Sequence, residues 1–215
     1  MSIDVKICGL DRPASVDAAV EGGARYTGFV FYPPSPRNLT PTRAAELTRR
    51  VPSSVIKVGL FVDPTDTEID AVLAENALDL LQLHGSETAD RLQAIKRRTG
   101  LPAMKAIKIA TAADVAQASH YFRVADRILF DALAPETMPG ALPGGNALSF
   151  DWSVLAGVDL PLPWMLGGGI TADNVAQAVA ITRARAVDVS SSVEDAPGVK
   201  NLDKIRAFLD VVRGL

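Results

Sequence analysis

The sequence predicts an α/β fold, a closed (β/α)8 barrel, on two observations. Short β-branched runs alternate with helix-period segments along the whole chain of 215 residues, and eight such units follow one another. Because each connection between strands is helical, the strands are parallel, and eight parallel strands match the TIM barrel. No linker, low-complexity stretch or charge block interrupts the pattern, so we expect a single domain over residues 1–215.

Eight strands are predicted from runs of apolar and β-branched residues. They cover, in chain order, Val5–Cys8, Thr27–Tyr32, Val55–Val62, Asp79–Leu83, Ala103–Lys108, Arg127–Asp131, Leu162–Leu166 and Ala186–Ser190. Each is followed by a segment that could be a helix. Thr40 before Pro41 is a cap followed by proline at the first helical position, and Thr65 with Glu68 has capping-box spacing. An open doubly wound sheet is the rival fold, but it would place a glycine-rich fingerprint after its first strand, where this chain has Cys8-Gly9-Leu10.

Composition and charge exclude several classes of protein. The net charge of −3 and the pI of about 5.4 argue against a general nucleic-acid binder, which would carry a basic surface. Prolines and charges break every apolar run before it reaches the length of a membrane span, and no signal peptide is visible. One cysteine, Cys8, allows no internal disulfide, and with two histidines it provides no metal-binding constellation. We therefore expect a cytoplasmic protein with no metal and with no nucleic-acid or membrane partner.

Polar residues alternate with aliphatic ones toward the C-terminal ends of the predicted strands. In strand 4, Leu81 and Leu83 oppose Gln82 and His84. Successive side chains point to opposite faces of a strand, and the aliphatic set packs against the helices, so the polar set faces the lumen. The inward polar residues at the strand ends are Cys8, His84, Asp131 and Ser190. Active sites of this fold lie at that rim, where His84 and Gln82 either contact a substrate or fill the barrel mouth with hydrogen bonds.

Cys8 and Asp131 are the candidate catalytic residues. The ammonium group of Lys6, two positions before Cys8, favours a thiolate, which can remove a proton or act as a nucleophile. A carboxyl group such as that of Asp131 in a partly desolvated barrel mouth can keep its proton and serve as a general acid. Because strands 1 and 8 are neighbours in a closed barrel, Lys6 and Asp188 are predicted to form an ion pair below the site.

Basic and glycine-rich segments after the strands indicate a small phosphorylated substrate. Arg37 follows the stiff stretch Pro33–Pro36 and suits bidentate binding of a carboxylate or phosphate. Gly167–Gly169 after strand 7 lets backbone N–H groups approach an anion, and Ser190–Ser192 follows strand 8. Loops after strands 7 and 8 are a recurrent phosphate site in this fold.

These residues, in their order along the chain, resemble the phosphoribosylanthranilate isomerases of tryptophan biosynthesis. The resemblance is carried by ten segments from end to end: Lys6–Leu10, Gly28–Phe31, Ser35–Arg37, Val58–Val62, Leu81–Gly85, Phe130–Asp131, Phe150–Trp152, Leu166–Ile170, Val187–Ser191 and Pro197–Lys200. It implies an Amadori rearrangement, in which N-(5-phosphoribosyl)anthranilate becomes 1-(2-carboxyphenylamino)-1-deoxyribulose 5-phosphate. It also implies that no cofactor is needed, since the ring-opened iminium is itself the electron sink, and that the protein is a monomer or a homodimer.

The resemblance assigns a role to each candidate residue. Asp131 would be the general acid that protonates the furanose oxygen, and Cys8 the general base that removes the proton from ribose C2. Arg37 would grip the anthranilate carboxylate. The substrate-binding set comprises Arg37, Gln82, His84, Gly168, Gly169, Ser190 and Ser191.

Three positions depart from the family's usual pattern. Ser192 stands where glycine is usual, and it would be strained if the position needs a positive φ. Ala147 replaces a glycine in a segment that covers the substrate, and Asn201 stands where aspartate is common. None of these three positions is the predicted acid or base, so the expected consequence concerns phosphate affinity.

Two alternatives are weighed against an isomerase of this family. Another phosphosugar barrel enzyme would need metal-ligand histidines, a catalytic lysine with paired glutamates, or two catalytic carboxylates, and Cys8 with Asp131 argues against each. A non-catalytic phospho-ligand-binding barrel would keep the glycine cradle but lack the acid or the base, and this chain has both.

Overall fold

Eight parallel strands close into a barrel in the order β1 to β8, with β8 paired to β1. This architecture comes from a computed structural model of the chain, which describes residues 2–134, 142–145 and 148–215. The strands are β1 (Asp4–Cys8), β2 (Tyr26–Phe31), β3 (Ile56–Phe61), β4 (Leu80–Leu83), β5 (Ala103–Ile109), β6 (Arg127–Ala132), β7 (Trp164–Leu166) and β8 (Ala186–Val189). The predicted barrel is confirmed, and every strand end lies within two residues of its predicted position.

Seven α-helices and three 3-10 turns occur in the described residues. The helices are α1 (Pro13–Glu21), α2 (Pro41–Thr48), α3 (Asp66–Glu75), α4 (Ala89–Thr99), α5 (Ala112–Ala116), α6 (Val175–Thr182) and α7 (Leu202–Arg213). The 3-10 turns cover Gln117–Tyr121, Trp152–Leu155 and Ser191–Val193. Within this part of the chain, no helix has the length and apolarity needed to cross a membrane.

The expectation of a helix after every strand is wrong for the described part of the β6–β7 connection. That part contains only the turn Trp152–Leu155. The neighbouring segments are rich in residues that oppose helices, since Pro143, Gly144 and Gly145 precede the turn and Pro161 and Pro163 follow it. Proline lacks a backbone donor and glycine loses more conformational entropy than other residues, so neither sustains a helix here.

The helix signals read from the sequence are confirmed where they can be checked. The Thr40 side chain accepts a hydrogen bond from the Arg43 N–H ahead of Pro41, and Thr65 with Glu68 forms the reciprocal capping box of α3. The α7 face that packs on the barrel consists of Ile205, Phe208, Leu209 and Val212, all buried. These contacts dock α7 against β1 and α1.

An antiparallel hairpin follows β8 and was not predicted. It pairs β9 (Glu194–Ala196) with β10 (Val199–Lys200) around a turn at Gly198, whose φ is 83°. A Cβ atom on Gly198 would lie 2.5 Å from the Pro36 carbonyl oxygen, so the hairpin touches the segment that leads to Arg37. Only glycine fits both this left-handed backbone and this close approach.

The lumen carries the polar parity predicted from the strands. Its lower part is apolar and includes Tyr26, Val58, Leu80, Met104, Leu129 and Met165. Above this cluster lies the predicted ion pair, with Nζ of Lys6 3.0 Å from Oδ1 of Asp188. Lys6 is fully buried, and its pKa is raised because Asp188 and Cys8 outweigh the lowering effect of burial. The pair provides a charged floor for the C-terminal rim of the barrel.

Candidate functional site

A cavity of about 790 Å³, counting its open mouth, lies at the C-terminal ends of the strands. Eight of the nine predicted site residues line it: Cys8, Arg37, His84, Asp131, Gly168, Gly169, Ser190 and Ser191. The strand alternation therefore brings together side chains that are far apart in the sequence. In the described ranges, no group of three or more His, Cys, Asp or Glu residues has the arrangement of a metal site.

Gln82 is the predicted site residue that the cavity does not include. Its side chain is fully buried beneath the rim, and its amide nitrogen lies 2.8 Å from Nδ1 of His84. The other ring nitrogen of His84, Nε2, lies 3.1 Å from Oδ2 of Asp131. Of the two alternatives left open by the sequence, Gln82 thus follows the hydrogen-bonding one, and it acts on the cavity through His84.

Asp131 lies at the end of β6 with both carboxylate oxygens engaged. The Ala132 N–H donates to Oδ1 at 3.0 Å, and His84 meets Oδ2. Gly144 covers this pair, since an added Cβ would lie 2.7 Å from both Asp131 Oδ2 and His84 Nε2. The backbone at Gly144 therefore packs directly against the Asp131–His84 pair.

Cys8 ends β1 as a buried free thiol on the cavity wall. Gly28 on the neighbouring strand makes room for it, because an added Cβ would lie 3.1 Å from Cys8 Sγ and 3.2 Å from Lys6 Cε. Burial raises the pKa of the Cys8 thiol, and the nearby Lys6 ammonium only partly offsets this effect. Lys6 lowers the pKa of Cys8, as expected from the sequence, but desolvation of the thiolate outweighs this attraction and the net pKa is raised.

Arg37 is buried, and its guanidinium group is held by a carboxylate. Nε and Nη2 donate to the two carboxylate oxygens of Glu194, each at 2.8 Å, and Nη2 also donates to the Gly145 carbonyl oxygen at 3.3 Å. Within residues 2–134, 142–145 and 148–215, Nη1 makes no hydrogen bond.

The loops after β7 and β8 form a cradle of backbone and hydroxyl groups. Gly168 and Gly169 both have positive φ, 79° and 66°, and their N–H groups donate to no acceptor in the described part of the chain. A Cβ on Gly168 would lie 2.6 Å from the Ala132 nitrogen, which requires glycine there. The Ser190 hydroxyl donates to the Cys8 carbonyl oxygen at 3.1 Å, so it holds the end of β1 beside the cradle. Free N–H groups on a concave backbone are suited to a phosphate.

A family model described as N-(5'phosphoribosyl)anthranilate (PRA) isomerase matches residues 5–211 of the chain. The chain belongs to the PRA isomerase family. Over 214 residues it is 57% identical to the N-(5'-phosphoribosyl)anthranilate isomerase of Paramagnetospirillum magneticum, which covers 100% of this chain and 99% of the relative. It is 54% identical to that of Paracoccus denitrificans over 97% of this chain and 96% of the relative.

Solved structures of PRA isomerases share the fold. The Thermotoga maritima enzyme superposes with a TM-score of 0.87 at 34% identity, over 99% of this chain and 100% of that one. A phosphoribosylanthranilate isomerase solved in complex with reduced 1-(o-carboxyphenylamino)-1-deoxyribulose 5-phosphate superposes with a TM-score of 0.83 at 33% identity, over 99% and 100% of the two chains.

The structure explains two of the three departures from the PRA isomerase pattern. Ser192 is not among the residues with positive φ, so serine is unstrained there, and its buried hydroxyl has no partner in the described ranges. Asn201 caps α7, because its side-chain oxygen accepts from the N–H groups of Asp203 and Lys204. Its role is therefore in the helix and not in phosphate binding. Ala147 lies outside the described residues.

Glu194 and Lys200 are buried residues that contact the lining of the cavity. Neither of them was identified from the sequence. Lys200 donates to Oε1 of Glu194 at 2.5 Å and to the Ser190 carbonyl oxygen at 2.9 Å. Burial alone would raise the pKa of Glu194, but Arg37 and Lys200 together hold it below its ordinary value. Lys200 ends one of the segments that carry the family resemblance and Glu194 lies between two of them, but this placement says nothing of their contacts.

Proposed function

We propose that this chain catalyses the Amadori rearrangement of N-(5-phosphoribosyl)anthranilate to 1-(2-carboxyphenylamino)-1-deoxyribulose 5-phosphate, with Asp131 as general acid and Cys8 as general base. The observation that carries these roles is that Cys8 and Asp131 line one cavity together with Arg37 and the Gly168–Gly169 cradle. The activity itself follows from membership of the PRA isomerase family over residues 5–211.

The substrate has an anion at each end, and the cavity offers a group for each. Nη1 of Arg37, which makes no hydrogen bond within the described residues, suits the anthranilate carboxylate, because a guanidinium group donates charge-assisted hydrogen bonds to carboxylates. The N–H groups of Gly168 and Gly169 suit the phosphate, with Ser191 beside them. Binding at both ends holds the ribose between them, so the reacting carbons are oriented before chemistry starts.

Ring opening is the first chemical step and needs an acid. Asp131 donates a proton to the furanose oxygen, the bond from C1 to that oxygen breaks, and the anthranilate nitrogen lone pair forms the C1–N double bond. The hydrogen bond from His84 supports this role, since it fixes the Asp131 carboxyl group in one orientation. The product of the step is an iminium cation in a cavity lined in part by the segment 142–145.

Proton removal from C2 is the second step and needs a base. In the unliganded protein burial raises the pKa of Cys8, which keeps it a thiol. The iminium cation formed in the first step lowers the free energy of a nearby thiolate, because opposite charges attract strongly in a desolvated site. Cys8 then takes the C2 proton, the C2–H electron pair forms the C1–C2 double bond, and the C1–N π pair returns to the nitrogen. The resulting enolamine tautomerises to the ketone.

Direct assay of the purified protein tests the reaction. Phosphoribosylanthranilate generated in place is consumed with loss of anthranilate fluorescence, and mass and NMR spectra identify the ketose product. Turnover to that product supports the proposal. Tight binding of a phosphorylated ligand with no turnover would favour a non-catalytic barrel, and turnover of another phosphosugar alone would favour a different isomerase.

We infer that the protein is a cytoplasmic monomer or homodimer. The substrate carries a phosphate and a carboxylate and does not cross a membrane unaided, so its enzyme belongs where it is made. One solved neighbour, from Thermotoga maritima, is described as monomers generated from a dimeric phosphoribosylanthranilate isomerase. Sedimentation of the purified protein and fractionation of cells test the two inferences separately.

A further inference from the structure

The guanidinium group of Arg37 is fixed along one of its two edges. Glu194 takes the edge formed by Nε and Nη2 with two hydrogen bonds of 2.8 Å, and both side chains are nine-tenths or more buried. Two parallel charge-assisted bonds define the plane of the guanidinium group as well as its position. Nη1 lies outside this carboxylate pairing, and Arg37 lines the cavity.

Glu194 is itself fixed from two directions. Lys200 donates to its Oε1 at 2.5 Å, and the Gly198 N–H donates to its Oε2 at 3.2 Å. Lys200 is fully buried and also donates to the carbonyl oxygen of Ser190, beside the phosphate cradle. One ammonium group therefore connects the support of Arg37 to the loop after β8.

The charges of this buried cluster leave one positive charge. Arg37 and Lys200 contribute two positive charges and Glu194 one negative charge, so the sum is +1. A single carboxylate entering the cavity would neutralise the cluster, and a ligand without a carboxylate would leave it charged. Because an unpaired buried charge is costly, this arrangement discriminates between the two ligands.

We propose that Glu194 and Lys200 are positioning residues that orient Arg37 and thereby make the site selective for a carboxylate on the aromatic ring of the substrate. This rests on the proposed function. Neither residue lines the cavity, and both act through Arg37. The hairpin β9–β10 is the structural device that carries them, held against Pro36 by the close approach of Gly198.

Two matched ligands isolate this role. One is reduced 1-(2-carboxyphenylamino)-1-deoxyribulose 5-phosphate, and the other is the same compound without the carboxyl group. Titration calorimetry on the full chain gives the ratio of the two dissociation constants. Glu194→Asp keeps the charge but shortens the side chain, and Glu194→Gln keeps the shape but removes the charge.

In both Glu194 variants, we expect the preference for the carboxylated ligand, measured as the ratio of the two dissociation constants, to fall at least about tenfold. A change of this size corresponds to the loss of one charge-assisted hydrogen bond. Affinity for the carboxyl-free ligand should stay within about twofold of wild type, because its phosphate cradle is intact. Either variant with the wild-type ratio, or with equal losses for both ligands, would overturn the positioning role. A higher ratio in Glu194→Gln would mean that charge alone governs selectivity, and would overturn it as well.

Glu87→Gln is the matched control. Glu87 is an equally buried glutamate that pairs with Lys105 at 2.6 Å, and it lies outside the cavity lining. The Glu87→Gln variant should be less stable than wild type but should keep the wild-type ratio of the two ligand affinities. A changed ratio in this control would show that loss of any buried ion pair alters selectivity, which would also overturn the proposal.

Lys200→Met gives an independent test if the Glu194 variants fail to fold. It should weaken both ligands, because Ser190 loses a donor, but it should weaken the carboxylated one at least about tenfold more. Equal weakening would overturn the role of Lys200. Wild-type protein that binds neither ligand and shows no turnover would instead refute the proposed function. Failure of the proposed function is therefore distinguishable from failure of the positioning role.

Discussion

His84 and Asp131 are hydrogen-bonded from Nε2 to Oδ2 at 3.1 Å, and Gln82 meets the opposite nitrogen of the same ring at 2.8 Å. With the Gln82 amide nitrogen donating to Nδ1, the ring carries its proton on Nε2, facing the carboxyl group of Asp131. The buried amide therefore sets the histidine tautomer at the acid. Asp131 is thus oriented by a chain of side chains that starts below the cavity.

Gln82→Met should separate this orienting role from substrate binding. The variant removes the donor to Nδ1 without opening a cavity, so kcat should fall about tenfold while KM stays within about twofold, and a buried unpaired nitrogen should cost about 1–3 kcal/mol of stability. Steady-state kinetics and urea unfolding measure both. Gln93→Met, at a partly exposed position on α4, is the control and should change neither. A rise in KM with unchanged kcat would mean that Gln82 serves binding.

Lys6→Met should be strongly destabilising, because it leaves Asp188 in the lumen without its ion-pair partner. Removing one partner of a buried pair costs about 3–5 kcal/mol, and replacing both partners recovers much of it. Urea unfolding of Lys6→Met, of Asp188→Leu and of the double variant measures the coupling. The exposed pair of Arg50 and Asp17 gives the comparison, since Arg50→Met should cost far less stability than Lys6→Met. Additive losses at Lys6 and Asp188 would argue against a coupled pair.

Stability should fall as pH rises through the alkaline range because of Cys8. Burial raises the pKa of this thiol above its ordinary value of 9.0, so the folded state holds its proton more tightly than the unfolded chain does. The contribution is fully present below pH 9.0 and is lost as pH rises toward the folded pKa. Urea unfolding of wild type and Cys8→Ser between pH 7 and 10 isolates the effect. An advantage of wild type over the variant that grows with pH would contradict it.

Gly28→Ala should displace the Cys8 thiol, the proposed general base. The added Cβ would lie 3.0 Å from Cys8 Cα and 3.1 Å from Sγ, and crowding of this kind in a packed interior costs about 1–3 kcal/mol. We expect lower kcat and lower thermal stability, measured by kinetics and by circular dichroism. Gly214→Ala, where the nearest atom would be 3.4 Å away, is the control and should behave as wild type. Normal turnover in Gly28→Ala would show that Cys8 has room to move.

Strand alternation is the reason that so much of the site could be predicted. Cys8, His84 and Asp131 lie on three different strands, but each is the inward residue at a C-terminal end, and closure of the barrel brings them to one cavity. Local sequence determines which face each residue takes. Closure of the barrel then brings the inward residues of different strands together.

Burial and long-range pairing could not be predicted in the same way. The effect of Lys6 on Cys8 was expected from their spacing, but desolvation depends on every element that packs around the thiol. Glu194 lies in a short polar segment with no strand-like alternation, and its partner Arg37 is 157 positions away. Such a contact leaves no periodic signal in a single sequence.

Steady-state turnover of phosphoribosylanthranilate by variants of Asp131 and Cys8 shows whether these two residues perform the acid and base steps. Cys8→Ser and Asp131→Asn should each lower kcat/KM by about 10²–10⁴-fold, the usual contribution of a positioned acid or base. Asp126→Asn, at the opposite end of β6, is the folded control and should keep wild-type turnover. Turnover of Cys8→Ser or Asp131→Asn within about tenfold of wild type would contradict the assigned roles.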